Sequence, residues 1–284
     1  MSAWTAARAP FARRLLQVTG MQRLGPYHVL RVAASSAEGD PNGPLGGRGG
    51  ADLVPGQFAM LACAERWGAG EDERPHLPRA FSIARLVDGE CHFLIDDVGP
   101  GTRRLSELRA GEQLWALGPL GRGFTAPPEG RRAILVGGGA GIAPLAILQD
   151  RLAVTTTVLL GFRDLDHAHG AALLDGARVA TDDGSSGHHG RVTELLEADL
   201  ARDPDAVVYA CGPAGMLEGV RALCERTATP AQLALEAGMA CGFGACYGCV
   251  VPKRGGGYLR VCLDGPVIDA AELDHVDAHA GAPA

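Results

Sequence analysis

The 284-residue sequence predicts a multidomain fold of β and α/β parts: an antiparallel barrel, a parallel α/β unit and a short cysteine-bearing C-terminal segment. Three observations lead there. From Leu15 to about Phe124, short apolar runs alternate with Gly/Pro turns and show little helical periodicity, the pattern of a small antiparallel barrel. Beyond Phe124, aliphatic and β-branched runs alternate with helical stretches, as a parallel α/β sheet requires. Near the C-terminus, Cys241, Cys246, Cys249 and Cys262 spell C-x4-C-x2-C-x12-C within a glycine-rich loop.

The barrel strands are expected at Leu15 to Thr19, Tyr27 to Ala33, Gln57 to Cys63, Arg79 to Arg85, Cys91 to Asp96 and Gln113 to Leu117. Two polar interruptions rich in Gly, Pro and charge, Ser35 to Asp52 and Glu65 to Pro78, read as exposed loops. In the α/β part, strands are expected at Arg132 to Val136, Thr156 to Gly161, Val179 to Thr181 and Ala206 to Ala210. Helices are expected at Ala143 to Leu152, Val192 to Asp199 and Ala214 to Thr227. The linker Ala126 to Gly130 separates domains at 12–125 and 131–229, and a cysteine segment at 230–275 is expected to be ordered mainly by its metal.

Composition narrows the function. The chain is 46% hydrophobic, yet its longest apolar stretches have the length of buried strands and none approaches a membrane span. A net charge of -7 argues against nucleic acid as a partner, because phosphate binding calls for a basic face. Residues 1–37 hold Arg8, Arg13, Arg14, Arg23 and Arg31 with no acid, a composition that could mimic a transit peptide. Leu15 to Ala34 reads instead as two strands joined at Gly25-Pro26, so a cytoplasmic location is expected and only the first dozen residues look dispensable.

The cysteine spacing matches the plant-type pattern for a 2Fe-2S cluster, with Gly242, Gly244 and Gly248 letting amide N–H groups turn towards the sulfurs. Structural zinc usually brings two C-x2-C knuckles, which the x4 spacing and the lone fourth cysteine fit poorly. A disulfide framework suits a chain too small to bury a core, and this one is not.

Gly137, Gly138, Gly139 and Gly141 stand at a strand-to-helix turn suited to a pyrophosphate, with Pro144 where a strict G-x-G-x-x-G would have its third glycine. Cys211, Gly212 and Pro213 close a later strand at the sheet edge where ligands bind, so a nicotinamide could lie over Cys211 and Gly212. On the barrel, Arg79 offers a planar fork for a pyrophosphate. Ser82, beside Ile83, offers a hydroxyl for a flavin nitrogen, both on one face of a bulged stretch. Gly99, Gly101 and Thr102 form a turn before a short helix, an anion-binding nest. Past the second α/β strand, Arg163, Asp164 and Asp166 include acids that would favour NAD over its phosphorylated form at the ribose.

In this order the barrel, the RAFS, GPGT, GPLGRGF, LVGGGAGIAPL and ACGPAGM segments and the MACGFGACYGCVV loop resemble the ferredoxin reductase superfamily, and within it the electron transfer subunits of class B dihydroorotate dehydrogenase, over about Leu15 to Glu272. The resemblance implies FAD on the barrel, NAD on the α/β part and a 2Fe-2S cluster in the cysteine loop. It also implies an FMN-containing catalytic subunit that oxidises dihydroorotate in pyrimidine biosynthesis. The family's R-P-x-S motif falls on Arg79 and Ser82 with Ala80 in place of proline, and Asp96 and Asp97 stand where a basic or aromatic residue is usual. A stand-alone NAD(P)H reductase feeding a ferredoxin, hydrogenase or oxygenase is the alternative reading.

Overall fold

The computed structural model describes residues 11–34, 45, 53–68 and 75–276. Six strands, β1 (Ala12–Leu24), β2 (Tyr27–Ala34), β3 (Phe58–Cys63), β4 (Arg79–Val87), β5 (Glu90–Asp96) and β6 (Gln113–Leu120), close into an antiparallel barrel in the order β1-β2-β5-β4-β3-β6. Alternation sets which face is inside: Leu16, Val18 and Gly20 are buried while Gln17 and Thr19 are exposed. β1 does not stop at Thr19 as expected but continues to Leu24 through a register shift between Val18 and Gly20, since one extra residue can be absorbed as a bulge without ending the ladder. Leu16, Leu30, Leu61, Ile83, Phe93 and Ile95 fill the barrel, and Leu105 of helix α1 (Pro100–Ser106) plugs it. Of the expected loop at Ser35 to Asp52, only Leu45 and Leu53 at its edge are described, and both are buried. Residues 69–74 of the second loop, and the N-terminal residues 1–10, lie outside the described residues.

A seven-stranded sheet follows. Its strands are β7 (Arg132–Gly138), β8 (Thr156–Phe162), β9 (Ala177–Thr181), β10 (His188–His189), β11 (Ala206–Cys211), β12 (Ala231–Ala234) and, after an excursion, β15 (Val267–Asp269), in the order β10-β9-β8-β7-β11-β12-β15. All pairings are parallel except the last, between β12 and β15. Burial on both faces explains why β11, AVVYAC, has no polar alternation: every residue in it is buried. Helices α2 (Ala143–Arg151), α3 (Leu165–Ala168), α4 (Val192–Arg202) and α5 (Ala214–Thr227) connect the strands.

The C-terminal segment is more than a metal loop. It contributes β12 and β15 to the sheet and buries Leu233, Ile268 and Leu273, so apolar burial orders its two ends and only the span between them carries the cysteines. That span folds as a loop, a hairpin of β13 (Val250–Pro252) and β14 (Tyr258–Arg260), and helix α6 (Val261–Asp264). Barrel and sheet are locked by Arg85 of β4, which pairs with Asp150 of α2 at 2.7 Å and donates to the Leu173 carbonyl at 2.7 Å. The Tyr209 hydroxyl adds a bond to the Thr125 carbonyl at 3.0 Å.

Candidate functional site

The thiols are gathered by the hairpin and by left-handed loop residues. Pairing of Val250 with Arg260 sets Cys249 beside Cys262, so that the Val261 amide donates to the Cys249 carbonyl at 2.9 Å and the Cys262 amide reaches the Cys249 sulfur at 3.4 Å. The loop around Cys241 turns through Gly242 (φ 79°), Gly244 (φ 88°) and Tyr247 (φ 58°), whereas Gly248, expected to share that task, has no positive φ. The Ala245 amide points at the Cys241 sulfur at 3.3 Å. Burial opposes ionisation of Cys241, but hydrogen bonds at Cys246, Phe243 and Ala245 outweigh it and hold the thiol at about 6. Burial, with the hydrogen bond and charge of Cys249, pushes Cys262 up to about 12.

Cys241 interacts with Cys246, and Cys262 interacts with Cys249 and, through charge, with Cys241. Among the described residues no three His, Cys, Asp or Glu side chains are grouped so as to hold one ion. Amide donors directed at the Cys241 and Cys249 sulfurs suit an iron-sulfur cluster, whose thiolates accept such hydrogen bonds. Cys249 and Cys262 are buried, Cys241 is half-buried and Cys246 is exposed, so the four thiols run from the interior to the surface.

On the barrel, the Arg79 side chain lies across Gly101, where an added Cβ would stand 2.7 Å from its Nε. A fork of donors thus meets the start of α1. The bulge expected between Arg79 and Ser82 falls later, between Ile83 and Arg85; the ladder from Leu61/Arg79 to Phe58/Ser82 is regular, and the pleat sets residues three apart on opposite faces. The expectation of one shared face is corrected accordingly. Thr102 is occupied within its own turn, its hydroxyl accepting from the Val98 and Gly99 amides at 2.9 and 3.0 Å. Ile83 belongs to the barrel core and its amide donates to the Gln57 carbonyl at 3.1 Å, so its side chain is not available to a ligand.

Where the carboxyl ends of β7, β8, β9 and β11 meet the barrel, a cleft of about 480 Å³ is lined by Tyr27, Asp96, Gly139, Asp182, Pro213 and Met216. The glycines of the turn divide their tasks. Gly139 lines the cleft, while a Cβ on Gly141 would stand 2.5 Å from the Gly212 Cα, so Gly141 lets the two strand-end turns touch backbone to backbone. Gly137 packs under the turn against Ile142 and Leu160. Asp164 caps α3, accepting from the His167 amide at 2.9 Å, and also bonds His167 Nδ1 at 2.7 Å and Arg163 at 3.2 Å. Of the acids named from sequence, Asp96 rather than Asp164 faces the cleft, joined by Asp182. Asp97 is turned to Arg103 at 3.3 Å.

Cys211 is 3% exposed, and burial, with the Glu236 charge adding, raises its thiol well above the ordinary value. Glu236 is exposed at the surface, and desolvation by the neighbouring protein raises its carboxyl. Sequence reasoning passed over Tyr27 and Asp182, since no local motif joins them to the cleft, and over Glu236, whose charge reaches Cys211 although it stands five residues before Cys241.

Residues 236–274 match the iron-sulfur cluster binding domain of dihydroorotate dehydrogenase B. The chain is 42% identical over 233 residues to the dihydroorotate dehydrogenase B (NAD(+)), electron transfer subunit, of Bacillus caldolyticus, covering 77% of this chain and 86% of that one. With the subunit of the same description from Listeria innocua it shares 37% over 239 residues, 81% of this chain and 91% of that one. The solved NADH-dependent reduced ferredoxin-NADP oxidoreductase of flavin-based electron bifurcation superposes with a TM-score of 0.74 at 21% identity, over 95% of this chain and 92% of that chain. The flavohem-like FAD/NAD binding domain of nitric oxide dioxygenase from Vibrio cholerae gives 0.60 at 20% identity, over 76% and 94%. These structural likenesses establish the fold. The sequence match extends over most of the chain, and the chain belongs to the family of dihydroorotate dehydrogenase B electron transfer subunits.

Proposed function

We infer that the chain is the electron transfer subunit of an NAD-linked dihydroorotate dehydrogenase, working beside a catalytic subunit that carries FMN and oxidises dihydroorotate. The observation that carries this reading is a four-cysteine loop with backbone amides aimed at the Cys241 and Cys249 sulfurs, carried on a barrel-and-cleft scaffold. When bound, a 2Fe-2S cluster exchanges single electrons and FAD exchanges one or two, which suits a route from a one-electron donor to a nicotinamide that takes hydride. Cys241, Cys246, Cys249 and Cys262 would hold the cluster, with the Ala245 and Cys262 amides directed at sulfur. Arg79 and the Gly99 to Thr102 turn would hold the FAD pyrophosphate, Ser82 would meet the flavin ring, and the cleft at Gly139 and Pro213, with Cys211 and Gly212 buried just before Pro213, would take NAD. Cys211 stays a neutral thiol in its buried position, fitted to pack against a ring rather than to attack it. No helix among the described residues is long and apolar enough to cross a membrane, and a cytoplasmic location belongs to the same proposal.

The test is isolation of the native assembly without air. A stable second polypeptide with FMN, and NAD-dependent orotate formation only in the complex, is the expected outcome. A chain that purifies alone and reduces a ferredoxin from NADH or NADPH would replace the proposal with the stand-alone reductase.

A further inference from the structure

The cysteine loop is seated on the barrel through glycines. A Cβ on Gly242, the residue after the first cysteine, would stand 2.5 Å from Met60 Cγ, 2.8 Å from its sulfur and 3.2 Å from Leu120 Cδ1. Met60 is 1% exposed in the middle of β3 and pairs with Ala80 of β4, so it has no open space into which to retreat. The same seam continues: a Cβ on Gly121 would meet Pro266 Cδ at 2.6 Å, and one on Gly56 would meet Val267 Cγ2 at 2.6 Å. By contrast Gly244, in the same loop and with similar φ, faces Leu263 of α6 rather than the barrel.

We propose that Met60 is a positioning residue: its buried side chain, received by the bare backbone of Gly242, fixes the Cys241 to Cys246 loop on the barrel strand that neighbours Arg79 and Ser82. The inference rests on the cofactor assignments proposed above. Separation governs how readily electrons pass between two bound groups, so a loop held in contact with β3 has a fixed separation from the barrel site, and a loop lifted by one methyl group does not.

Hydrogen exchange of the full chain measures the seat directly, and anaerobic stopped-flow measures its consequence as the ratio of NADH-driven cluster bleaching to NADH-driven dye reduction. Gly242→Ala is expected to lower protection of residues 241–246 by about tenfold, the scale of a local opening made easier, and to lower that ratio. Gly242→Ala combined with Met60→Ala, which makes room for the methyl group, is expected to regain much of both. Gly244→Ala, strained but turned away from β3, is expected to gain nothing from Met60→Ala. Should Gly242→Ala fail to fold, Met60→Ala alone tests the same seat and is expected to loosen residues 241–246. Unchanged protection in Gly242→Ala, or rescue of Gly244→Ala equal to that of Gly242→Ala, would overturn the inference. Parent protein without iron would overturn the cluster assignment instead.

Discussion

Arg79 shows how one side chain can be placed by its neighbours. Its guanidinium donates to the Leu77 carbonyl at 2.6 Å, lies 6.0 Å from the Trp67 ring and passes over Gly101, so it is held beside the start of α1 before any ligand arrives. Preordering of this kind favours anion binding, because less side-chain entropy is lost on contact. Arg79→Ala should weaken FAD binding about 10- to 100-fold, matching about 1.5 to 3 kcal/mol for one charge-assisted contact. Fluorescence titration of apoprotein with FAD measures it, and unchanged affinity would remove Arg79 from the site.

At the scale of elements, α5 and the C-terminal segment are joined by an ionic network. Arg221, nearly buried, grips both oxygens of Glu218 at 2.7 and 2.8 Å and reaches Glu225 at 2.8 Å. Arg254, just beyond β13, reaches Glu225 at 2.9 Å and Asp274 at 3.2 Å, and the Val276 amide donates to Glu218 at 2.8 Å. Arg221 holds Glu218 below the ordinary value of 4.5, and Arg221 with Arg254 does the same for Glu225. A carboxyl whose folded pKa is depressed stabilises the fold above its unfolded value, and that stability fades as pH falls through 4.5 and below. The melting temperature of Arg221→Met should therefore lie below that of the parent near neutral pH, with the gap closing towards about pH 3.5. A gap independent of pH would mean that Arg221 acts through packing alone.

For the whole molecule, the cysteine loop and the cleft occupy different parts of one scaffold, and Cys246 at the surface does not line the cleft. Cys246→Ala should cut electron passage from a catalytic subunit to NAD+ by about two orders of magnitude or more, through loss of a thiolate ligand. NADH-driven reduction of small dyes should fall far less. Parallel assays on the reconstituted complex separate the two, and equal loss in both would mean that electrons do not pass the proposed cluster before the flavin.

All six barrel strands, the parallel sheet, helix α5 from Ala214 to Thr227 and the four thiols were legible in the sequence, because alternation, apolar runs and cysteine spacing are local patterns. Strands β12 and β15 were not, since four and three residues give too short a run to reveal that they extend a sheet begun far earlier, at Arg132. The site divides in the same way. Sequence alone determined which side chains are available: four cysteines at cluster spacing, glycine turns, and an arginine three residues before a serine. Tertiary structure decided which acid faces the cleft, which glycines serve packing rather than ligand, and that Glu236 stands near Cys211. Burial, close approach and shared charge arise between residues far apart in the chain, and no local spacing carries them.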